Sequence, residues 1–166
     1  VRPHFVSALI LDERGRYLMQ IRDHSPGILH PGALGLFGGA VEAGESSEQA
    51  VRRELAEEIG IVPEDLAFWR TLWVPVPATA LRFRDARVDV FSGTIAAARV
   101  PLLAQQEGAG RTLIGPRRLL SEATVATSAR LAVGLHAQRA IADGAEEPPV
   151  ERWLVRAAVS DGGTAA

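Results

Sequence analysis

The stretch GAVEAGESSEQAVRRELAEEIGI, Gly39–Ile61, decides how the rest of the chain is read. Ser46 or Ser47 is placed to cap a helix, Gln49 lies three residues after Ser46 in a capping-box pattern, and Gly60 with Pro63 ends the helix. Between these signals Val51, Leu55 and Ile59 recur every four residues and form its buried stripe. Glu54, Glu57 and Glu58 stand at i, i+3 and i+4, within reach of one another. Three like charges so placed repel, and they become favourable around a hard divalent cation. Mg²⁺ takes oxygen ligands in octahedral geometry and keeps open positions for water and phosphate. Arg53, four residues before Glu57, is placed to steady part of the cluster. Just upstream, Gly38 and Gly39 let the backbone approach the helix closely, so that a main-chain carbonyl can complete a coordination shell. An isolated E-x-x-E-E is more often a solvated helix face than a site. Here the spacing continues well beyond those three residues.

Outward from this segment, Phe5–Leu11 and Arg16–Arg22 are apolar-rich runs separated by Asp12-Glu13-Arg14-Gly15, which predicts a hairpin. Pro26, Gly27, Pro31, Gly32, Gly35, Gly38, Gly39 and Gly44 mark the next stretch as loop around a short strand. After the helix, Leu66–Val74, Leu81–Phe83 and Val88–Ala96 read as strands between Pro- and Gly-marked breaks. Thr127–Ile141 reads as a second long helix stopped by Asp143-Gly144. Glu146–Pro149 is a linker to a short apolar tail, Val150–Val159, which packs back on its own domain or on a second subunit of a homodimer. The order of strands, helix, strands and helix predicts a sheet covered by helices on its faces.

At 166 residues, nearly half apolar, the chain supports one substantial core. The expected organisation is a domain over residues 1–145 with 146–166 as its C-terminal extension. A net charge of -2 supplies no overall basic field for nucleic acid or an anionic membrane, so a polyanionic substrate must be met by a local site. With no cysteine, thiolate nucleophiles, disulfides and cysteine-held metals are excluded, and any metal must be held by oxygen or imidazole. The four histidines, His4, His24, His30 and His136, show no paired metal-ligand spacing. The Phe5–Leu11 run is too short and too quickly followed by charge for a signal peptide or membrane span, and a cytoplasmic protein is expected.

Gly39, five residues, Glu45, seven residues, then Arg53-Glu54-Leu55-Ala56-Glu57-Glu58-Ile59-Gly60-Ile61 resembles the Nudix box at every specified position. Seven fixed identities and two apolar positions make a chance match on the order of one in a billion per starting point. The resemblance implies an α/β/α sandwich with a central mixed β-sheet. It also implies a magnesium-dependent hydrolase, with Mn²⁺ as a substitute ion, cleaving a phosphoanhydride in a nucleoside diphosphate linked to another group. By position, Glu57 and Glu58 resemble the metal ligands, Glu54 a ligand or the base toward water, the Gly38 carbonyl a backbone ligand, and Arg53 the residue that holds Glu54 in place. Glu45 resembles the glutamate that supports the loop and in some members a second ion, and Gly39 and Gly60 are structural positions of the box. Glu107, before Gly108, resembles a further acid recruited from a distant loop. Arg22, at the end of the second strand, resembles an arginine that contacts substrate phosphate in some members.

Phe37 stands where many members carry proline, and Leu34 or Leu36 where an aromatic is common, so nothing here supports stacking of a base in that loop. Pro77, 16 residues past Ile61, resembles a marker of ADP-ribose hydrolases and also reads as an ordinary strand terminator. Trp69, Trp73 and Phe83 read as core or interface residues ahead of base-stacking ones. The expected substrate is a (deoxy)nucleoside triphosphate, ordinary or oxidised, ahead of ADP-ribose, a dinucleoside polyphosphate or a non-nucleotide diphosphate. A Nudix-fold module that binds a nucleotide without cleaving it is the competing class.

Overall fold

Apolar residues occupy both faces of the first two strands because both faces of the sheet they enter are covered. The computed structural model describes residues 2–25, 31–76, 84–122 and 124–155. Within them the chain forms strands β1 (His4–Leu11), β2 (Tyr17–Ile21) and β3 (Leu34–Gly35), then helix α1 (Ser47–Ile59). Strands β4 (Ala67–Pro75) and β5 (Asp85–Thr94) follow, then a 3-10 helix over Ala97–Leu102 and β6 (Gly110–Ile114). Helices α2 (Pro116–Ser121), α3 (Thr127–His136) and α4 (Gln138–Asp143) precede β7 (Glu151–Leu154). The sheet runs β4-β5-β1-β2-β6-β7, with β3 attached to β2. It is mixed, since β1 and β5 are parallel and the other pairs antiparallel.

Alternation along the strands sorts side chains into two layers. Val6, Ala8, Ile10 and Leu18 join Val51, Leu55 and Ile59 of α1 on one face. Leu9, Tyr17 and Met19 join Ala129, Ala132 and Val133 of α3 on the other. Helices cover both sides, as an α/β/α sandwich requires. No helix among the described residues is long and apolar enough to cross a membrane.

The hairpin expected at the start is a loose one. β1 and β2 are in register only at Leu11 and Tyr17. Beyond that point β1 pairs with β5 over eight residues, and the loop after β3 fills the space left on its other side, with bridges Ala8–Phe37 and Phe5–Ala40. This splay opens the sheet beside the glycine pair.

Helix α1 is built as its sequence demands. The Ser46 Oγ accepts the Gln49 N–H at 3.2 Å, the Gln49 side chain accepts the Ser46 N–H at 2.8 Å, and Gly60 closes the helix at φ 71°. Replacing Ser46 by Ala is expected to cost about 1 kcal/mol, a drop of roughly 2–4 °C in a thermal melt. The start of α1 is tied to the sheet by the buried Asp89, which accepts from Ser47, Thr71, His4 and Arg87. Burial alone would raise the Asp89 pKa, but these bonds outweigh it and hold the carboxyl below its ordinary value. The stability it confers is therefore present above the usual carboxylate range and lost as pH falls through its depressed value.

Two expectations need correction. The periodic segment 127–141 is two helices, α3 and α4, joined at the buried Ala137 (φ -93°, ψ 10°). Neither the 3-10 helix Ala97–Leu102 nor α2 was anticipated from composition. Pro77, the strand expected over Leu81–Phe83, His30 and residues 156–159 of the tail lie outside the described residues. Trp69 packs against the core and edge-on to His136 at 5.0 Å, whereas Trp73 is exposed on the edge strand β4. From the tail, β7 pairs with β6, and the buried Arg16 reaches the Pro149 carbonyl at 2.7 Å and Glu151 at 2.6 Å.

Candidate active site

The site forms where the last two turns of α1 meet the glycine pair. Val6 N–H donates to the Gly39 carbonyl at 2.8 Å and Ala8 N–H to the Phe37 carbonyl at 2.9 Å, so the Gly38 carbonyl between them takes no part in that ladder. Gly38 has φ 137°, a conformation that side chains rarely adopt, and a Cβ there would overlap the Val6 carbonyl. The Gly38 N–H donates to Glu58 Oε2 at 2.8 Å and fixes that carboxylate. Gly39 lies against the Glu54 carboxylate so closely that any Cβ would displace it.

Arg53 is the hub of the acidic face. Its guanidinium donates to Glu45 at 2.8 and 3.2 Å, to Glu54 at 2.9 Å, to Glu57 at 3.3 Å and to the Ala40 carbonyl at 3.2 Å. The Glu45 bond is the main reason that the Arg53 pKa is raised, and the same bond lowers that of Glu45. Glu45 thereby joins the loop to the helix. Glu57 stands well exposed at the end of the row, with 61% of its side chain accessible.

Glu58 differs from its neighbours because it is buried, at 5% exposure. Burial pushes its pKa up to about 7, the Gly38 N–H pulls it down, and the charges of Glu107 and Glu54 push it up further. Among the described residues no cationic side chain pairs with it. Glu107 itself is exposed on the loop between the 3-10 helix and β6. That loop is fastened to α1 by the Gln106 N–H, which donates to the Glu58 carbonyl at 2.8 Å.

Beside the glycine pair lies a cavity of about 220 Å³. Its walls come from Phe5–Ser7 of β1, Gly35, Leu36 and the glycine pair, the facing ends of β4 and β5, and Ala126–Ser128 at the start of α3. Phe5 is the one aromatic among the described lining residues. Arg22 lines it too, and its buried Nε has no hydrogen-bond partner among the described residues. A guanidinium lining a cavity next to the glycine pair, with one N–H unpaired in this way, is suited to an anionic ligand.

Among the described residues no three His, Asp or Glu side chains close on a single point. Glu54 and Glu57 lean on Arg53, and Glu58 is held by Gly38. The donor set suits a hard cation nevertheless: it is all oxygen, and its central carboxylate is buried, uncompensated and opposed by two like charges. Of the residues singled out in the sequence, Gly38, Gly39, Glu45, Arg53, Glu54, Glu57 and Glu58 form one connected group. Glu107 acts on Glu58 through its charge, and Arg22 lies across the cavity. Gly60 serves as the C-cap of α1. Gln20 and Asp23 were not singled out, although both stand by the loop of Glu107. Their only sequence signal is a polar residue on an otherwise apolar strand and a charge at its end.

A family model described as NUDIX domain matches residues 2–108. No curated protein matches the sequence. Among solved structures, a protein of Deinococcus radiodurans is similar at 25% identity and a TM-score of 0.58, covering 79% of this chain and 83% of its own. The dihydroneopterin triphosphate pyrophosphohydrolase of E. coli has 22% identity and a TM-score of 0.63, over 80% of this chain and 92% of its own. The NUDIX domain of Shewanella oneidensis NrtR, solved with ADP ribose, has 18% identity and a TM-score of 0.61, over 84% of this chain and 89% of its own. At such identities the last two likenesses establish the fold.

Proposed function

The chain belongs to the NUDIX domain family and is a pyrophosphohydrolase of it, and we propose that its substrate is a nucleoside diphosphate linked to another group, hydrolysed with Mg²⁺. A nucleoside triphosphate, ordinary or oxidised, is the first candidate. The observation that carries this reading is the buried, uncompensated Glu58 in a row with Glu54 and Glu57, near a cavity that Arg22 lines, the Nε of which has no partner among the described residues.

Glu54, Glu57, Glu58 and the Gly38 carbonyl are the groups that would hold Mg²⁺, or Mn²⁺ in its place, with Glu107 added from its loop. When bound, the ion acidifies water and neutralises charge on the phosphoryl oxygens. Arg53 offsets the mutual repulsion of Glu54 and Glu57 by donating to both from one nitrogen and orients Glu54, which is then the ligand or the acceptor of the water proton. Arg22 binds a phosphate of the substrate. The cavity takes part of the group beyond the phosphates; it is smaller than the ~300–1,000 Å³ of a pocket for a whole drug-sized ligand. In this reading residues 1–145 are the catalytic domain and 146–166 its C-terminal extension.

ADP-ribose is a second candidate, favoured by the complex of the Shewanella domain. A domain that binds a nucleotide without cleavage is the reading of another class. The deciding experiment incubates the protein with nucleoside triphosphates, 8-oxo-dGTP, ADP-ribose, nucleotide sugars and dinucleoside polyphosphates, with Mg²⁺ or Mn²⁺, beside Glu57→Gln. Metal-dependent cleavage of one class, abolished by the substitution, is expected. Tight binding of a nucleotide with no cleavage of any substrate would replace the hydrolase by the binding module.

A further inference from the structure

Strand β2 places Gln20 on the face shared with Leu18, in the apolar layer that packs under α1, where it is 8% exposed. An amide in such a layer is unfavourable unless its polar atoms find partners. Gln20 Nε2 lies 3.4 Å from Glu58 Oε1 and 3.5 Å from the Glu107 carbonyl, both at the long end for hydrogen bonds. The two partners come from elements 38 and 87 residues away in sequence, and Gln20 is the side chain that touches both.

The loop carrying Glu107 is packed onto this amide. Gly108 has φ 87°, and a Cβ there would come within 2.9 Å of Gln20 Cγ and 2.8 Å of the Ile21 carbonyl, so the chain passes as close as a glycine allows. Gln105 Nε2 holds the loop from the other side, donating to the carbonyls of Glu107 at 2.7 Å and Gly110 at 2.8 Å. The Gln106 N–H bonds the Glu58 carbonyl. Glu58 thus has a donor near each oxygen, the Gly38 N–H at 2.8 Å on one and the Gln20 amide at the longer 3.4 Å on the other.

We infer that Gln20 is a positioning residue that sets the Glu58 carboxylate and the Glu107 loop against each other, so that both carboxylates meet a divalent ion without rearrangement. Gln20 touches no ion or substrate itself. It acts as outer-shell partners of metal ligands do, by fixing the orientation of the ligand. The inference rests on the metal-dependent reading above.

The test compares wild type, Gln20→Leu and Glu57→Gln. Leu removes the amide and suits an apolar layer, so metal-free Gln20→Leu is expected to melt within about 4 °C of wild type. Titration with Mn²⁺ alone, followed by the electron paramagnetic resonance of the free ion, is expected to show about tenfold weaker binding. Amide exchange at Gln106 and Gly108 is expected to quicken. Turnover falls at limiting Mg²⁺ and recovers at excess Mg²⁺ with the substrate KM unchanged, a rescue that mere structural damage does not give. If Gln20→Leu binds Mn²⁺ like wild type while Glu57→Gln does not, the role of Gln20 is overturned and the metal site stands. If Glu57→Gln also binds like wild type, the metal reading fails and takes this inference with it. A metal-free melt far below wild type marks Gln20 as structural, which also overturns the role. Should Gln20→Leu not fold, Gln20→Met, unbranched and of similar length, takes its place in the same measurements.

Discussion

Glu58→Gln is expected to lower hydrolysis by on the order of a hundredfold or more while leaving the metal-free protein at least as stable as wild type. Both effects come from one observation, a carboxylate at 5% exposure whose oxygens meet, among the described residues, only neutral donors, the Gly38 N–H and the Gln20 amide. Gln fills the same volume and can still accept from Gly38. What it loses is the charge that would hold a cation and shape the field around the phosphates, the kind of contribution whose removal costs on the order of 10²–10³ in turnover. What it gains is relief from burying that charge beside Glu54 and Glu107.

The pH dependence separates the two. Burial, chiefly, raises the Glu58 pKa from its ordinary 4.5 to about 7 in the fold. A group raised in this way contributes stability that is fully present below the unfolded value and lost as pH rises through the folded one. Metal-free wild type should therefore lose about 3 kcal/mol from this group between mildly acid and mildly alkaline pH. Glu58→Gln should lack that loss. Thermal melts from pH 5 to 9 in a chelator, with and without added Mg²⁺, read it directly. Mg²⁺ should restore wild type at high pH and leave the variant unmoved. Equal slopes for the two proteins, or full turnover by the variant, would remove Glu58 from the centre of the site.

Alanine at the two adjacent glycines should give opposite kinds of damage. At Gly38 the added Cβ meets the Val6 carbonyl and lies 2.9 Å from Ser7 Cα, both backbone atoms of the central strand, at a φ of 137° that an L residue resists. Neither the strand nor the loop can yield, because the loop is bridged to β1 on both sides of this residue. A cost on the order of 4 kcal/mol or more is expected, seen as a melt about 10 °C or more below wild type. At Gly39 the atoms nearest the Cβ all belong to the carboxylate of Glu54, the far end of a flexible side chain. That carboxylate can swing away, so the fold survives with a change of about 1 kcal/mol or less. It leaves Arg53 as it does so, and a displacement of about 1 Å can cost on the order of a hundredfold in turnover. Circular dichroism melts beside turnover measurements distinguish the cases. If Gly39→Ala melts as low as Gly38→Ala, or works as fast as wild type, the assignment of Gly39 as the cradle of Glu54 is wrong.

How far the sequence carried the reading differs from element to element. Helix α1 was legible to within a residue at its start, where Ser46 rather than Ser47 proves to be the cap, because Ser46, Gln49 and Gly60 act through bonds to their own neighbours. The break between α3 and α4 was not, since no Pro or Gly marks it and the bend falls at Ala137, a residue drawn into the core. The hairpin of β1 and β2 followed from its turn residues. That the two strands part after a single registered pair depends on β5 and on residues 37–40, which arrive from elsewhere. Arg16 opens the second apolar run, and nothing in that run shows that it is buried; it is so because Asp12, Pro149 and Glu151 surround it.

By itself the sequence determined the family, the presence of one acidic helix and the row of Glu54, Glu57 and Glu58 along it, because helical periodicity and box spacing are properties of a short stretch of chain. Tertiary structure decided that Glu58 alone of the three is buried, that Arg53 divides its bonds among three glutamates, that Gln20 and the Glu107 loop close on Glu58, and that Arg22 lines a cavity with its Nε unpartnered among the described residues. Spacing fixes which charges can be neighbours, whereas burial and the approach of distant segments depend on how the two apolar layers pack across the sheet. Those packing contacts join residues that no local pattern links.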